Sequence, residues 1–294
     1  MTTPNLQLML PPAAEVLPAV DGEIITKPKA RQKAVVALIR SARRSLLLSI
    51  FRCDDLLVLH ELALAAARGV GVEVLVTGRA KGWSQRLGPM AGCLERMGVA
   101  VHRSPAAAMK YHAKYMVVDG ETACIGTANL TRKSFRRTRD FLLLTSEPDA
   151  VRELVQLFRS DATGAFPEAC ESLIVGPQSC RETIEQLLAS ARSSIRILDH
   201  KLSDRRILAI LAERQRRGVR VEVYRGCAAD TWKPHGRLIL VDHQTAVFGS
   251  FSLSEKSLDG RRELGVAIRR QALVDQLERQ FDKASRAAVI AAVA

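Results

Sequence analysis

The order of apolar and polar residues predicts strands that alternate with helices in the first part of the chain. Apolar runs with strand character cover residues 45–51 and 70–77, and a helical pattern covers residues 56–67 between them. The helix is predicted to end at Arg68, because Gly69 stands where many helices are closed by a left-handed residue. This alternation favours a layered α/β fold.

The same pattern occurs twice along the chain. The tripeptide at 41–43 recurs 149 residues further on, and a second offset of 123 residues relates His112 to His235. The second offset holds without a gap as far as Phe158 and Phe281. Agreement at one offset over so long a span is improbable by chance, so we interpret the chain as a tandem duplication.

The duplication divides the chain into five predicted segments. They are an N-terminal arm at 1–21, a first half at 22–161, a linker at 162–171, a second half at 172–284 and a C-terminal tail at 285–294. The second offset is smaller by 26 residues, so the first half contains an insertion between Val76 and Lys110. A helix at 85–97 and a strand at 99–102 are predicted within that insertion.

A hairpin with polar residues at its entrance follows the insertion. Strands are predicted at 115–118 and 122–125, with a turn that begins at Asp119. His112 and Lys114 are two residues apart on the entering strand, so their side chains leave the same face. A titratable ring beside an ammonium group suits a phosphate anion, whereas the hairpin alone could equally be a surface feature with one stray histidine.

The second copy makes this hairpin half of a candidate site. Each half supplies a histidine and a carboxylate 28 residues later, His112 with Asp140 and His235 with Glu263. A catalytic histidine needs an acceptor at its second ring nitrogen, and we expect these carboxylates to serve in those pairs. If the halves pack with pseudo-two-fold symmetry, one histidine can attack phosphorus while the other protonates the leaving oxygen.

Both hairpins carry a motif that resembles the HxKxxxxDxxxxxxGSxN signature of the phospholipase D superfamily. The first copy comprises His112, Lys114, Asp119, Gly126, Thr127 and Asn129. The second, drifted copy comprises His235, Arg237, Asp242, Gly249, Ser250 and Ser252. The departures are Thr127 for serine in the first copy, and Arg237 for lysine and Ser252 for asparagine in the second.

The resemblance implies a fold, a reaction and a role for each motif residue. It implies two α/β/α sandwich halves with one active site at their pseudo-two-fold interface, and phosphodiester cleavage through a covalent phosphohistidine without a metal or organic cofactor. His112 takes the role of nucleophile and His235 that of general acid, while Lys114 and Arg237 balance the phosphate charge. Substrate contacts are expected from Thr127, Asn129, Ser250 and Ser252. Structural roles are expected from Asp119, Asp242, Gly126 and Gly249, with each aspartate stabilising its turn.

Two further basic segments have weaker interpretations. His200, Lys201 and Asp204 imitate the motif but lack its strand and turn context, and they match the first-half segment 51–55 instead. The cations that directly follow the first motif are expected either to line the mouth of the phosphate site or to form a solvated loop. They are Arg132, Lys133, Arg136, Arg137 and Arg139.

Composition bears on partners and location. The formal charge of +13 and the pI near 9.9 favour phosphate-rich partners, either nucleic acid or anionic lipid headgroups. Six cysteines without metal-ligand spacing fit a reducing compartment. No signal peptide or apolar run of membrane-spanning length is visible, so we expect a cytoplasmic protein with possible peripheral contact at the inner membrane surface.

Three functions follow from these observations. The first is a phospholipase D-type enzyme that hydrolyses or transphosphatidylates phospholipids. The second is a metal-independent nuclease, favoured by the basic charge. The third is a catalytically weak module that binds phosphodiesters, suggested by Arg237 and Ser252 in the second motif.

Overall fold

The computed structural model describes residues 18–78, 83–104, 109–165, 167–226 and 233–293. Within these residues, two α/β halves each contain one large mixed sheet, which confirms the predicted duplicated α/β fold. Of the predicted N-terminal arm, only residues 18–21 are described. Val20 there is buried, and its N–H donates to the carbonyl of Ala267 in the second half.

The first half contains nine strands and five helices among the described residues. The strands are β1 (Glu23–Ile25), β2 (Ser45–Ile50), β3 (Gly71–Val76), β4 (Ala100–Arg103), β5 (Lys110–Tyr111), β6 (Tyr115–Val118), β7 (Thr122–Gly126), β8 (Thr138–Arg139) and β9 (Leu142–Thr145). The helices are α1 (Pro28–Ser41), α2 (Leu56–Ala67), α3 (Ser84–Arg96), α4 (Ser134–Arg137) and α5 (Pro148–Thr163).

The second half repeats this order without the insertion. Its strands are β10 (Ile174–Val175), β11 (Ser194–Leu198), β12 (Arg220–Tyr224), β13 (Lys233–Pro234), β14 (Arg237–Val241), β15 (Thr245–Gly249), β16 (Arg261–Arg262) and β17 (Leu264–Ile268). Its helices are α6 (Cys180–Ala189), α7 (Arg205–Arg216), α8 (Glu255–Leu258) and α9 (Gln271–Val293).

The two large sheets have the same strand order. The first runs β1-β9-β7-β6-β2-β3-β4 and the second β10-β17-β15-β14-β11-β12. The extra strand β4 pairs in parallel with β3 at the edge, so the insertion lengthens the first sheet by one strand. The predicted helix and strand of the insertion are thereby confirmed as α3 and β4.

Helix ends follow the local sequence signals. Asp55 accepts a hydrogen bond from the Val58 N–H at the start of α2, and Asp204 accepts from the N–H groups of Arg206 and Ile207 at the start of α7. Asp204 therefore corresponds to Asp55 as a helix cap, in agreement with our rejection of the motif-like segment that contains it. Gly69 closes α2 with the predicted left-handed backbone, at φ +88°.

Three apolar clusters form the core. One lies on the helix-covered outer face of each large sheet. The third draws residues from both halves, including α5, α9 and the facing sides of the sheets, where the Phe141 and Phe248 rings lie 5.8 Å apart. The halves are therefore joined by a continuous hydrophobic core, and this interface also holds the motif residues.

Candidate active site

Two short parallel strand pairs connect the halves beside the motif histidines. β5 precedes His112 and pairs with β16, while β13 precedes His235 and pairs with β8. The contacts are pseudo-symmetric, because the Ala113 N–H donates to the Arg262 carbonyl and the Gly236 N–H donates to the Arg139 carbonyl. Each histidine is thereby placed next to the strand that ends immediately before the carboxylate of the other half.

The histidine–carboxylate pairs are therefore crossed between the halves. His112 Nδ1 lies 2.8 Å from Glu263 Oε2, and His235 Nδ1 lies 2.8 Å from Asp140 Oδ1. Our expectation that each histidine bonds the carboxylate of its own half was wrong. The reason is the backbone pairing, which brings β16 to β5 and β8 to β13 before any side chain makes contact.

Hydroxyl groups complete the hydrogen bonding of both carboxylates. Thr127 Oγ1 donates to Asp140 Oδ1 at 2.7 Å, and Ser250 Oγ, its pseudo-symmetric equivalent, donates to Glu263 Oε2 at 2.5 Å. The remaining oxygens differ between the halves, because Thr138 donates to Asp140 and Ser257 to Glu263. Thr127 and Ser250 thus contact the histidine partners in this structure, whereas our sequence interpretation assigned them to the substrate.

Burial and charge set the protonation of these groups. Burial alone would raise the pKa of both carboxyl groups, but their neighbours, led by His235 at Asp140 and by His112 at Glu263, lower each pKa to about 2. Burial lowers the pKa of His112 to about 3, with Glu263 opposing and Lys114 adding to the effect. A neutral His112 facing an ionised carboxylate carries its proton on Nδ1, which leaves the Nε2 lone pair available.

Lys114 is buried behind the first histidine. Its ammonium group donates to the His112 carbonyl at 2.6 Å and lies 5.4 Å from the centre of the Phe51 ring. Burial lowers its pKa to about 7, Arg237 adds to this effect, and Glu263 opposes it. Because burial removes the Lys114 ammonium group from water, an anion bound next to it would stabilise its charge.

Arg237 occupies the corresponding position in the second half and has a carboxylate neighbour. Its side chain is 4% exposed, with Nε 4.0 Å from Asp199 Oδ1. The equivalent of Asp199 in the first half is Ile50, so the arginine and the carboxylate occur together in the second half. Among the described residues, no hydrogen-bond partner is found for Nε or Nη1 of Arg237, which leaves both groups available to an anion.

The asparagine and serine at the motif ends differ in their contacts. Asn129 is buried, and its side-chain oxygen has no hydrogen-bond partner within the described part of the chain. Ser252 Oγ instead lies 3.1 Å from Ser254 Oγ. Substrate contact by Asn129 and Ser252 stays a prediction.

The motif aspartates lie at the opposite ends of their strands. Both have a left-handed backbone, with φ of 56° at Asp119 and 55° at Asp242. The Asp119 carboxylate accepts hydrogen bonds from the backbone N–H groups of residues 43–45, and that of Asp242 from those of residues 192–194. These contacts support a structural role in fixing the hairpin against the strand beside it.

The motif glycines allow close approach of β9 and β17, the strands that follow the two carboxylates. A Cβ atom at Gly126 would lie 2.4 Å from Leu142 Cδ2, and one at Gly249 would lie 2.4 Å from the Leu264 carbonyl oxygen. A larger residue would displace β9 or β17, and with it the Asp140 or Glu263 carboxylate.

Two buried arginines position the carboxylate segments and were not singled out from the sequence. Arg31 donates to three main-chain carbonyls in segment 134–140, including that of Asp140 at 2.6 Å. Arg262 pairs with Asp161 at 2.9 Å, and its own carbonyl accepts from the N–H of His112. Full burial of an arginine requires such partners. Arg262 has a counterpart at the second offset, Arg139, which could have marked it, whereas Arg31 has none because Cys180 stands at the equivalent position.

The five cations that follow the first motif differ in their exposure. Arg132, Lys133, Arg136 and Arg137 are exposed, and Arg139 is half-buried next to Asp140. Their proposed position at the mouth of the site stays a prediction. In the described ranges, no cluster of three or more His, Cys, Asp or Glu side chains could hold a metal ion, and no helix is long and apolar enough to span a membrane.

Two carboxylate-held histidines and two buried cations thus meet at one interface. Residues 35–162 and 223–285 match the family described as "Cardiolipin synthase, PLD-like domain". The chain belongs to the phospholipase D superfamily.

Relatives of known sequence carry several activities. A polyphosphate kinase of Mycolicibacterium gilvum is 30% identical over 78% of this chain and 36% of its own length. A mitochondrial cardiolipin hydrolase of Danio rerio is 31% identical over 40% of this chain and 51% of its own length. The chain thus spans about a third to a half of these relatives.

Solved structures share the duplicated fold. Polyphosphate kinase from Porphyromonas gingivalis matches 96% of this chain and 50% of its own, with a TM-score of 0.73 and 17% identity. Phosphatidylserine synthase from Haemophilus influenzae matches 90% of this chain and 86% of its own, with a TM-score of 0.74 and 12% identity. At these identities, the likeness concerns the fold alone.

Proposed function

We propose that this protein is a phosphodiesterase of the phospholipase D type, which hydrolyses or transphosphatidylates phospholipids through a covalent phosphohistidine. The observation that carries the proposal is the crossed pairing of His112 with Glu263 and of His235 with Asp140, each at 2.8 Å. It presents two imidazoles of defined tautomer to the same interface.

In the proposed reaction, His112 Nε2 attacks phosphorus and a P–N bond forms. The P–O bond to the leaving alcohol breaks, and His235 gives its proton to that oxygen. Water or a second alcohol then attacks phosphorus, the P–N bond breaks, and His235 takes up the proton of the incoming hydroxyl group. Hydrolysis and transphosphatidylation differ only in this second acceptor.

Assignment of the nucleophile rests on electrostatics as well as on the family resemblance. Burial holds the pKa of His112 well below its usual value, so its ring is neutral when the substrate arrives. Its side chain is 10% exposed, against 27% for that of His235. The more exposed His235 suits exchange of protons with departing and arriving alcohols or with water.

Lys114 and Arg237 are proposed to stabilise the non-bridging phosphate oxygens. Both are buried at the interface, and the proximity of Arg237 contributes to the lowered pKa of Lys114. Two cations that repel each other in the free protein gain most from a ligand that places negative charge between them.

A phospholipid is the preferred substrate, because the matching family is described as "Cardiolipin synthase, PLD-like domain". A second candidate function is transfer of a phosphate group to or from a phosphate chain. It is favoured by the 30% identity to a polyphosphate kinase over 78% of this chain. The +13 charge is compatible with either substrate, and with nucleic acid.

The experiment presents each substrate separately to the purified protein. Phosphatidylglycerol vesicles and single- and double-stranded DNA are tested in EDTA, and polyphosphate is tested with Mg²⁺ and a nucleoside diphosphate. We expect release or transfer of the lipid headgroup, loss of that activity in His112→Ala, and retention in the matched control His60→Ala, whose ring is exposed on α2.

Each alternative outcome selects another function. Turnover of DNA alone would replace the proposal with a nuclease, and turnover of polyphosphate alone would replace it with a kinase-like transferase. Binding of phosphodiesters without turnover would indicate a binding module. Full lipid activity in His112→Ala would refute the assigned nucleophile.

A further inference from the structure

A group of cations that the proposed reaction does not use lies beside His112. Its members are Arg52, Lys110, Lys201 and Arg261. The Phe51 ring packs edge-on against the His112 ring, with centroids 4.6 Å apart. The Arg52 guanidinium lies 5.0 Å and the Lys110 ammonium 4.9 Å from the centre of the same Phe51 ring.

The other two cations reach this place from the second half. Arg261 pairs with Lys110 in register across the β5–β16 ladder, so that their backbones are neighbours at the interface. Lys201 and Arg261 line one open groove of about 690 Å³. Two of the four cations thus face a groove that is large enough for a small ligand, and the other two lie against the Phe51 ring beside His112.

Within the described ranges, no carboxylate forms an ion pair with either lysine of the group, Lys110 or Lys201. The nearest carboxylate to Arg261 is that of Glu263 at 4.0 Å, which already accepts hydrogen bonds from Ser250 and Ser257.

Like charges within the group act on both lysines. Burial lowers the pKa of Lys110, the charges of Arg261, Arg52 and Lys201 lower it further, and Glu263 opposes them. Burial lowers the pKa of Lys201, the charges of Arg237 and Arg261 lower it further, and Asp199 and Glu263 oppose them. Partly desolvated cations of like charge are stabilised by an anion placed among them.

Arg52 and Lys201 occupy equivalent positions in the two halves, but the surroundings of the group are not symmetric. At the position equivalent to Arg261, the first half has Thr138, which donates to Asp140. At the position equivalent to Phe51, the second half has His200. Phe51 and Arg261 therefore lie together beside His112, and different residues stand at the equivalent positions of the other half. A ligand group bound there would lie on one defined side of the reacting phosphate.

We propose that Arg52, Lys110, Lys201 and Arg261 form a second phosphate subsite, so that the substrate carries another phosphate group close to the one that His112 attacks. This inference rests on the proposed function and narrows its substrate class. Two sources share the chemistry, namely a phosphate chain and a lipid whose two phosphates are bridged by glycerol.

Calorimetric titration of the full chain in EDTA tests the subsite without turnover. Orthophosphate and glycerol 1-phosphate are the single-phosphate probes, while pyrophosphate and glycerol 1,3-bisphosphate carry two phosphates. We expect at least one double-phosphate probe to bind tenfold or more tightly than its single-phosphate counterpart, because the second group gains charge-assisted hydrogen bonds. Preference for pyrophosphate assigns a phosphate chain, and preference for the bisphosphate assigns the lipid source.

A matched pair of double variants assigns the gain to these cations. Lys110→Gln/Lys201→Gln is expected to reduce the ratio of affinities to below threefold. Arg43→Gln/Arg192→Gln removes two exposed charges from the far ends of the sheets and is expected to retain the full ratio. If the first variant does not fold, Lys201→Gln replaces it, because that side chain is exposed.

Two results would overturn the subsite. One is equal affinity for single- and double-phosphate probes in the unaltered protein, and the other is an unchanged ratio in the lysine variant. Failure of the proposed function gives a different signature. A protein that prefers the double-phosphate probes but cleaves no phosphodiester would retain the subsite and lose the reaction.

Discussion

Exchange of Glu263 for glutamine tests the crossed histidine pairs most sharply. The glutamine keeps the shape of the side chain, and its carbonyl oxygen can still accept the hydrogen bond that Ser257 donates to Glu263 Oε1 at 2.7 Å. Its amide NH₂, however, would donate to His112 Nδ1. The ring proton would then move to Nε2, and the lone pair needed for attack on phosphorus would be lost.

The magnitude follows from the buried hydrogen bond at 2.8 Å between His112 and Glu263. A hydrogen bond to a charged group contributes about 1.5–3 kcal/mol, which corresponds to roughly 10- to 150-fold in rate. Inversion of the tautomer raises the loss towards the roughly 10⁴-fold that the equivalent substitution causes in a serine-protease triad. We therefore expect formation of the phosphoenzyme to slow by about 10³-fold in Glu263→Gln.

The assay uses a p-nitrophenyl phosphodiester, whose leaving group departs as an anion without a proton. With this substrate, the unaltered protein should show a burst of p-nitrophenolate. Glu263→Gln should lose the burst, because it disables the nucleophile. Asp140→Asn should keep the burst and turn over slowly, because His235 is needed only when water attacks the phosphoenzyme.

Exchange of the exposed Glu121 for glutamine is the control and should change neither phase. Loss of the burst in Asp140→Asn with retention in Glu263→Gln would refute the reasoning. That pattern would mean that each histidine depends on the carboxylate of its own half.

Two further predictions concern stability and pH. Asp119→Ala and Asp242→Ala should each lower the free energy of unfolding by about 2–3 kcal/mol in urea titrations, because each leaves backbone N–H groups without their acceptor. Backbone hydrogen bonds outweigh burial and lower the pKa of both groups, so their contribution is complete above about pH 3.9 and is lost as the pH falls further. Burial lowers the pKa of Lys114 to about 7, so kcat/KM should fall as the pH rises through 7. The folded protein releases this proton near pH 7, whereas the unfolded chain holds it up to about pH 10.4. The free energy of unfolding should therefore increase with pH between these two values. A flat rate profile to high pH would contradict the role of the ammonium group.

Local features were predictable because they depend on neighbours in sequence. Helix 56–67 and strand 115–118 have the predicted bounds, since apolar periodicity and a closing glycine specify them. The duplication and the added strand of the insertion were also predictable, because a repeat offset is a property of the sequence itself.

The crossing of the carboxylates could not be predicted from the repeat. Asp140 and Glu263 follow their histidines at the same interval, and this interval does not specify which half each one faces. That choice is made by the β5–β16 and β8–β13 pairings, which are too short to leave a hydrophobic pattern.

Asp199 shows what closer comparison of the copies could have revealed. It replaces Ile50 in the first half, and it approaches Arg237, which replaces Lys114. Both differences between the copies could be read from the sequence. The contact between Asp199 and Arg237 could not, because it joins the end of one strand to a hairpin that is distant in sequence.

The most direct test of the central claim is identification of the phosphorylated residue. The protein is mixed with a phosphodiester substrate, quenched in alkali to preserve phosphohistidine, digested and analysed by mass spectrometry. We predict one adduct, on His112, that accumulates in Asp140→Asn and is absent from Glu263→Gln. An adduct on His235, or turnover with no covalent intermediate in any variant, would contradict the account.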